Sequence, residues 1–300
     1  MSRTPKNDQA VEFPREVWSL FDKYVHGALD RRGFLEQVGR FAVGGWTAAT
    51  ILDALSPRFA EAQQVPPDDA RLLRSVIDFP SRDGYGRGRG VLAVPKAAKG
   101  KRPGVLVVHE NRGLNPHIED IALRVALAGY VAFAPDALAP LGGYPGDEDK
   151  ARTLFATLDQ TKTTEDFVAA LDVLRHRPEC NGTVGVVGFC YGGGMANTLA
   201  VRVPDLGAAV PFYGSQPKAE DVPKIRAPLM LHYAELDDRI NAGIPAFEAA
   251  LKAHGVRYQL FTYPGTQHGF NNNTTPRFDK AAAALAWGRT LDFFKHHLGA

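Results

Sequence analysis

The hydrophobic positions change period several times along the chain, and the changes mark out strands alternating with helices. Residues 74–80 and 88–95 alternate apolar and polar side chains, as half-buried strands do. A glycine-rich turn at 83–90 joins them into an antiparallel opening hairpin. Residues 104–108 are a continuous apolar run instead, the pattern of a strand covered on both faces. A helix over 116–128 follows, with Pro116 at its start and Gly129 just past its end. The next strand is 130–135. Residues 147–177 read as a long helical region whose second part begins around Thr164-Glu165-Asp166. Further strands are expected up to Phe189, over 206–212, 228–234 and 258–263, with helices over 191–201, 244–254 and 278–297. Such alternation predicts a mostly parallel sheet with right-handed crossovers and helices on both faces. In that architecture, functional groups collect at the C-terminal ends of the strands.

The first 62 residues follow another pattern. An amphipathic helix fits 13–29. Asp30-Arg31-Arg32-Gly33-Phe34-Leu35 comes next, then a weakly apolar stretch up to Leu55, and Ala60-Glu61-Ala62. A paired arginine, a Phe-Leu shortly after, an apolar stretch and an Ala-x-Ala site resemble a twin-arginine export signal. Arg40 interrupts the apolar stretch, which is too short and polar for a membrane span. The expected organisation is therefore a signal region at 1–62, a linker at 63–73 and a catalytic domain at 74–300. The mature chain would start near Gln63, use the twin-arginine export machinery and work in the periplasm or otherwise outside the cytoplasm. An amphipathic anchor that stays attached is the other reading of this segment.

Composition narrows the field further. With 35 basic and 33 acidic residues, the 300-residue chain is near neutral, and no basic run marks a nucleic-acid partner. Two cysteines make no disulfide scaffold. About seven strand residues separate Cys180 from Cys190, some 20 Å at ~3.3 Å per residue, so both are expected to be free. No Cys/His spacing calls for a metal, and no cofactor is implied.

The candidate chemistry centres on Gly188-Phe189-Cys190-Tyr191-Gly192. Read as Gly-x-Cys-x-Gly between a strand and a helix, it is the nucleophile elbow of an α/β-hydrolase fold, with Cys in place of Ser. The turn is sharp, so Gly188 and Gly192 must lack a Cβ. The thiol would stand at a helix N-terminus, where a thiolate is favoured. Asp237 and His268 follow later strands in the order nucleophile, acid, histidine. His268 would move the thiol proton, and Asp237, with Asp238 as a rival, would orient the imidazole. The backbone N–H groups of Asn111 and Tyr191 would form the oxyanion hole. His109 and His232 fit strand packing, and Tyr144, Tyr213 and Phe270 are candidate pocket walls.

Gly-Phe-Cys-Tyr-Gly-Gly-Gly at 188–194, His-Glu-Asn-Arg-Gly-Leu at 109–114 and Pro-Gly-Thr-Gln-His-Gly-Phe at 264–270 resemble the dienelactone hydrolase family, over roughly 76–298. The resemblance implies a Cys190–His268–Asp237 triad that opens small-molecule lactones or esters through an acyl-thiol intermediate. It also implies that Glu110 contacts the resting thiol. The arginines that hold a substrate carboxylate in that family have no counterpart in 135–140 or 268–273, so a neutral or bulkier ester or lactone is as well suited. Another acyl bond, or a non-catalytic binding role on the same scaffold, are the alternatives.

Overall fold

A computed structural model describes residues 13–43, 45–97 and 100–299. Part of the expected signal region lies outside the described residues. The elements in chain order are α1 (Arg15–Val25), α2 (Arg31–Val38), α3 (Ala48–Leu55), α4 (Phe59–Ala62), β1 (Leu72–Ser81), β2 (Gly86–Pro95), β3 (Arg102–Val108), α5 (Pro116–Leu127), β4 (Val131–Pro135), α6 (Glu148–Phe155), α7 (Gln160–Arg175), β5 (Cys180–Phe189), α8 (Tyr191–Arg202), β6 (Ala208–Phe212), β7 (Leu229–Leu236), α9 (Asp238–Asn241), α10 (Ile244–Ala253), β8 (Tyr258–Gln267) and α11 (Lys280–Leu298).

The eight strands form one sheet in the order β1-β2-β4-β3-β5-β6-β7-β8. The β1–β2 and β2–β4 pairs are antiparallel, and the remaining pairs are parallel. This is the α/β-hydrolase fold expected from the sequence. Alternate residues of the central strands feed separate cores on the two faces. Leu106, Val186 and Leu231 pack with α7 and α8, while Val105, Val187 and Met230 pack with α5 and α11.

Local sequence explains most helix starts. Asn115 caps α5 ahead of Pro116, and Asp279 caps α11. The helical region expected over 147–177 is two helices, and the second begins at Gln160 rather than near Thr164. Asp159 sets that boundary by accepting from the backbone N–H groups of Thr161 and Lys162. Cys180 opens β5 instead of preceding it, and both cysteines are free.

Among the described residues, 13–43 and 45–62 form a helical cap with its own core. Val17, Phe21, Phe34, Val38, Ile51 and Leu55 are buried in it. Asp30 caps α2, and Thr47 with Thr50 makes a capping box on α3. Arg31 pairs with Asp149 at 2.8 Å. The expected linker is also fixed: the N–H groups of Gln64 and Val65 donate to Asp120 Oδ1 at 2.9 and 2.8 Å. No described helix is long and apolar enough to cross a membrane.

Candidate active site

The strand-to-helix turn after β5 places Cys190 at φ 55°, ψ −111°, outside the regions a side chain prefers. The flanking glycines permit it. A Cβ on Gly188 would lie 1.9 Å from the Gly192 carbonyl oxygen, and one on Gly192 would lie 2.2 Å from that of Val108. The backbone at Cys190 is therefore wedged between α8 and β3. Its N–H donates to Phe212 O at 3.0 Å, so that amide is already used. The N–H groups of Asn111 and Tyr191 donate to no group among the described residues.

Asp237 follows β7 and His268 follows β8. His268 Nδ1 and Asp237 Oδ2 are 2.6 Å apart, and both side chains are buried. Asp237 also accepts from Ile240 N, which fixes the carboxylate against α9. The rival Asp238 points to solvent and pairs with Arg15 at 3.4 Å. Bonding at Nδ1 leaves Nε2 of His268 for chemistry. That nitrogen is buried with no hydrogen-bond partner among the described residues, and a ring nitrogen of His268 lies within 4.8 Å of the Cys190 sulfur.

The sulfur has a second neighbour that sequence reasoning missed. His26, just past the C-terminus of α1, brings Nε2 to 3.3 Å from Cys190 Sγ. Its Nδ1 lies 2.8 Å from Asp22 O and 3.1 Å from Asp22 Oδ1, which fixes a proton on Nδ1. No motif surrounds His26, and the contact exists only because the cap docks. Burial pushes the Cys190 thiol up, but the charges of His268 and His26 outweigh it and bring the thiol down to about 6. Burial pushes His268 down, and the thiolate together with Asp237 overcomes this and raises it to about 10. Both shifts run in the direction of proton transfer from the thiol to an imidazole.

The thiol contact expected of Glu110 is corrected by the structure. Glu110 lines the same cavity, but its Oε2 accepts from Asn272 Nδ2 at 3.0 Å, and it makes no hydrogen bond with the thiol among the described residues. His26 holds that place instead. His109 accepts from Ala137 N, and His232 sits between Thr290 and Tyr263, so both are packing residues as expected. Tyr213 and Phe270 are fully buried core, and of the three candidate walls Tyr144 alone lines the cavity. Sequence spacing offered no metal ligands, yet folding brings ligand atoms of His26, Cys190 and His268 within 4.8 Å of one another.

The cavity above the thiol has a volume of about 370 Å³. The catalytic domain gives one wall, including Arg112, Glu148 and Arg277, and the cap gives the other, including Phe21, Tyr24 and Leu52. The C-terminal carbonyls of α1 meet donors from the catalytic domain. Val25 O accepts from Asn111 Nδ2 at 2.8 Å and from Arg112 at 3.2 Å, and Tyr24 O accepts from Arg152 at 2.6 Å. A helix C-terminus carries unpaired carbonyls and partial negative charge, so two arginines suit it. Arg277 comes from beyond the loop where an arginine was sought. It approaches Asp22 at 3.8 Å and stacks over Phe21.

The model of the dienelactone hydrolase family matches residues 89–298, and a YqhI-like family model matches residues 5–42. A protein of Escherichia coli O157:H7 described as "Putative carboxymethylenebutenolidase" is 33% identical over 262 residues, which span 82% of this chain and 94% of that protein. A protein of Bradyrhizobium sp described as "Probable 2-oxo-3-(5-oxofuran-2-ylidene)propanoate lactonase" is 30% identical over 213 residues, 66% of this chain and 86% of its own. Among solved structures, the "Putative Dienelactone Hydrolase" of Klebsiella pneumoniae superposes with a TM-score of 0.64 at 26% identity, covering 73% of this chain and 98% of that one. The chain belongs to the dienelactone hydrolase family and is a hydrolase of the carboxymethylenebutenolidase type.

Proposed function

We propose that the protein opens carboxylic esters or lactones by nucleophilic attack of Cys190, with His268 as the proton-transfer group and Asp237 as its orienting acid. The observation that carries this reading is the strained elbow. Cys190 is held at positive φ at the N-terminus of α8, with a ring nitrogen of His268 within 4.8 Å of its sulfur and Asp237 on Nδ1 of that ring. A strained backbone at a reactive residue needs support from its surroundings, and Gly188 and Gly192 provide it.

The steps follow from those positions. The sulfur lone pair forms a bond to the acyl carbon, and the carbonyl electrons move onto oxygen beside the Asn111 and Tyr191 N–H groups. Collapse breaks the acyl C–O bond, and the leaving oxygen takes up the proton released by the thiol. Water then attacks the acyl-thiol, giving its proton to His268, and the thiol is restored. A lactone releases no separate alcohol, because its leaving oxygen stays in the opened chain.

The test is hydrolysis of an activated aryl ester, simple lactones and a dienelactone by wild type and Cys190→Ala. Loss of every activity in the variant supports the nucleophile assignment, and the wild-type profile ranks substrates. Preference for a thioester would favour the alternative acyl bond. Equal activity of both proteins would place the chemistry elsewhere. Equal inactivity with an unreactive thiol would favour a binding role.

Export by the twin-arginine route is the proposal for location, resting on Arg31-Arg32-Gly33-Phe34-Leu35 and Ala60-Glu61-Ala62. Cleavage after Ala62 would remove the cap and His26 with it, so cleaved export and a working role for the cap exclude each other. Intact mass of the protein purified from producing cells tests this. A start near Gln63 supports cleavage, and a retained segment supports the cap.

A further inference from the structure

The Cys190 thiol faces two imidazoles, each held by an aspartate at its Nδ1, and only one comes from the catalytic domain. On one side His268 is fixed by Asp237. On the other, His26 is fixed by Asp22 through both the backbone carbonyl and the carboxylate. The sulfur's hydrogen-bond partner among the described residues is His26, at 3.3 Å. A ring nitrogen of His268 lies within 4.8 Å of the sulfur as well, outside the hydrogen-bond geometry that His26 has. The two rings stand edge to face with centroids 4.9 Å apart, so both imidazoles are packed together at the sulfur.

We propose that His26 is a catalytic residue supplied by the cap, and that acylation and deacylation use different imidazoles. This rests on Cys190 being the nucleophile and divides the proton work among named atoms. The thiol proton passes to His26 Nε2 as sulfur forms its bond to the acyl carbon. When the acyl C–O bond breaks, the leaving oxygen takes that proton, and His26 is neutral again. Water then gives its proton to His268 Nε2 as its oxygen bonds the acyl carbon and the C–S bond breaks. The sulfur takes the proton back from His268.

The charged groups around His26 fit this duty. Asp22 stabilises the cationic ring. Arg277 lies 3.8 Å from Asp22 Oδ1, and Arg239 lies 3.5 Å from Asp22 Oδ2 and 3.0 Å from His26 Nε2. An arginine N–H can approach Nε2 only while that nitrogen carries a lone pair. When the thiol proton arrives, Arg239 retains Asp22 as its partner. The cap is seated where this needs it to be, because Val25 and Tyr24 are pinned by Asn111, Arg112 and Arg152.

The test uses the full chain as wild type, His26→Gln and Cys190→Ala, on p-nitrophenyl acetate and on ethyl acetate. Nitrophenolate leaves without a proton, whereas ethoxide needs one. His26→Gln is expected to lower kcat/KM on ethyl acetate about 100-fold, with a much smaller loss on the aryl ester. The pH midpoint of iodoacetamide labelling should also move toward the ordinary thiol value of about 8.5. Rates on both esters within about twofold of wild type, with an unchanged labelling midpoint, would overturn the proposal. Should trypsin show that the substitution releases the cap, His26→Gly with and without added imidazole decides. Restored ethyl acetate turnover supports the role, and no restoration overturns it. Activity retained by Cys190→Ala would instead overturn the nucleophile reading itself.

Discussion

His26 Nε2 lies 3.3 Å from the sulfur of Cys190, although 164 positions separate the two residues in the chain. The contact joins an amphipathic N-terminal helix to the strained turn of a hydrolase fold. It makes the N-terminal segment part of the site, and several expectations follow from it and from the elbow itself.

The thiol should titrate early. The His268 and His26 charges outweigh burial and bring Cys190 to about 6. The rate of iodoacetamide labelling should therefore rise through pH 6 and level off by neutral pH. Labelling that rises only near pH 8.5, about the value of a free thiol, would contradict the pairing.

Asp237→Asn should leave the fold intact and lower kcat by about 10²–10⁴-fold. The amide no longer selects the His268 tautomer or stabilises its charge. Circular dichroism and steady-state rates check the two halves of this expectation. Asp238→Asn, on an exposed side chain, should change kcat by less than about twofold.

Gly188→Ala should destabilise by about 3 kcal/mol or prevent folding, because its Cβ would meet the Gly192 carbonyl at 1.9 Å. Thermal or urea denaturation measures the cost. A variant as stable as wild type would mean that the elbow relaxes more easily than its packing implies.

Acid should loosen the cap before it unfolds the sheet. Burial acts to raise Asp22, but its bond to His26 and the charges of His26, His268 and Arg277 hold it well below the usual carboxyl range. A carboxyl depressed in the folded state adds stability above its unfolded value, and that stability is lost as pH falls below about 4. Brief proteolysis across this range should cut within residues 15–62 first. Phe34→Ala, in the cap's own core, should produce the same pattern at neutral pH, at a cost of about 3–5 kcal/mol to the cap.

Much of the catalytic domain is legible in the sequence because its signals are local. The continuous apolar runs of β3 and β5, the glycines around Cys190 and the strand-end positions of Asp237 and His268 each carry their meaning within a few residues. The break before α7 is also written locally, in Asp159, but a run of helix formers on both sides masks it. The cap is different. Arg31-Arg32-Gly33-Phe34-Leu35 reads as an export pattern, while Asp30 just ahead of it caps α2 and Phe34 enters the cap's own core. His26 and Arg277 have no motif, and they reach the site only through tertiary docking. Glu110 occupies the position that the family resemblance assigns, but Asn272 engages its carboxylate and His26 takes the thiol.

The most direct test of the central claim is to catch the acyl group. Wild-type protein mixed with p-nitrophenyl acetate, quenched in acid during the burst and digested for mass spectrometry, should carry one acetyl group on the peptide containing Cys190 and none in Cys190→Ala. Acetyl on another residue, or turnover with no label on Cys190, would contradict nucleophilic catalysis by this thiol.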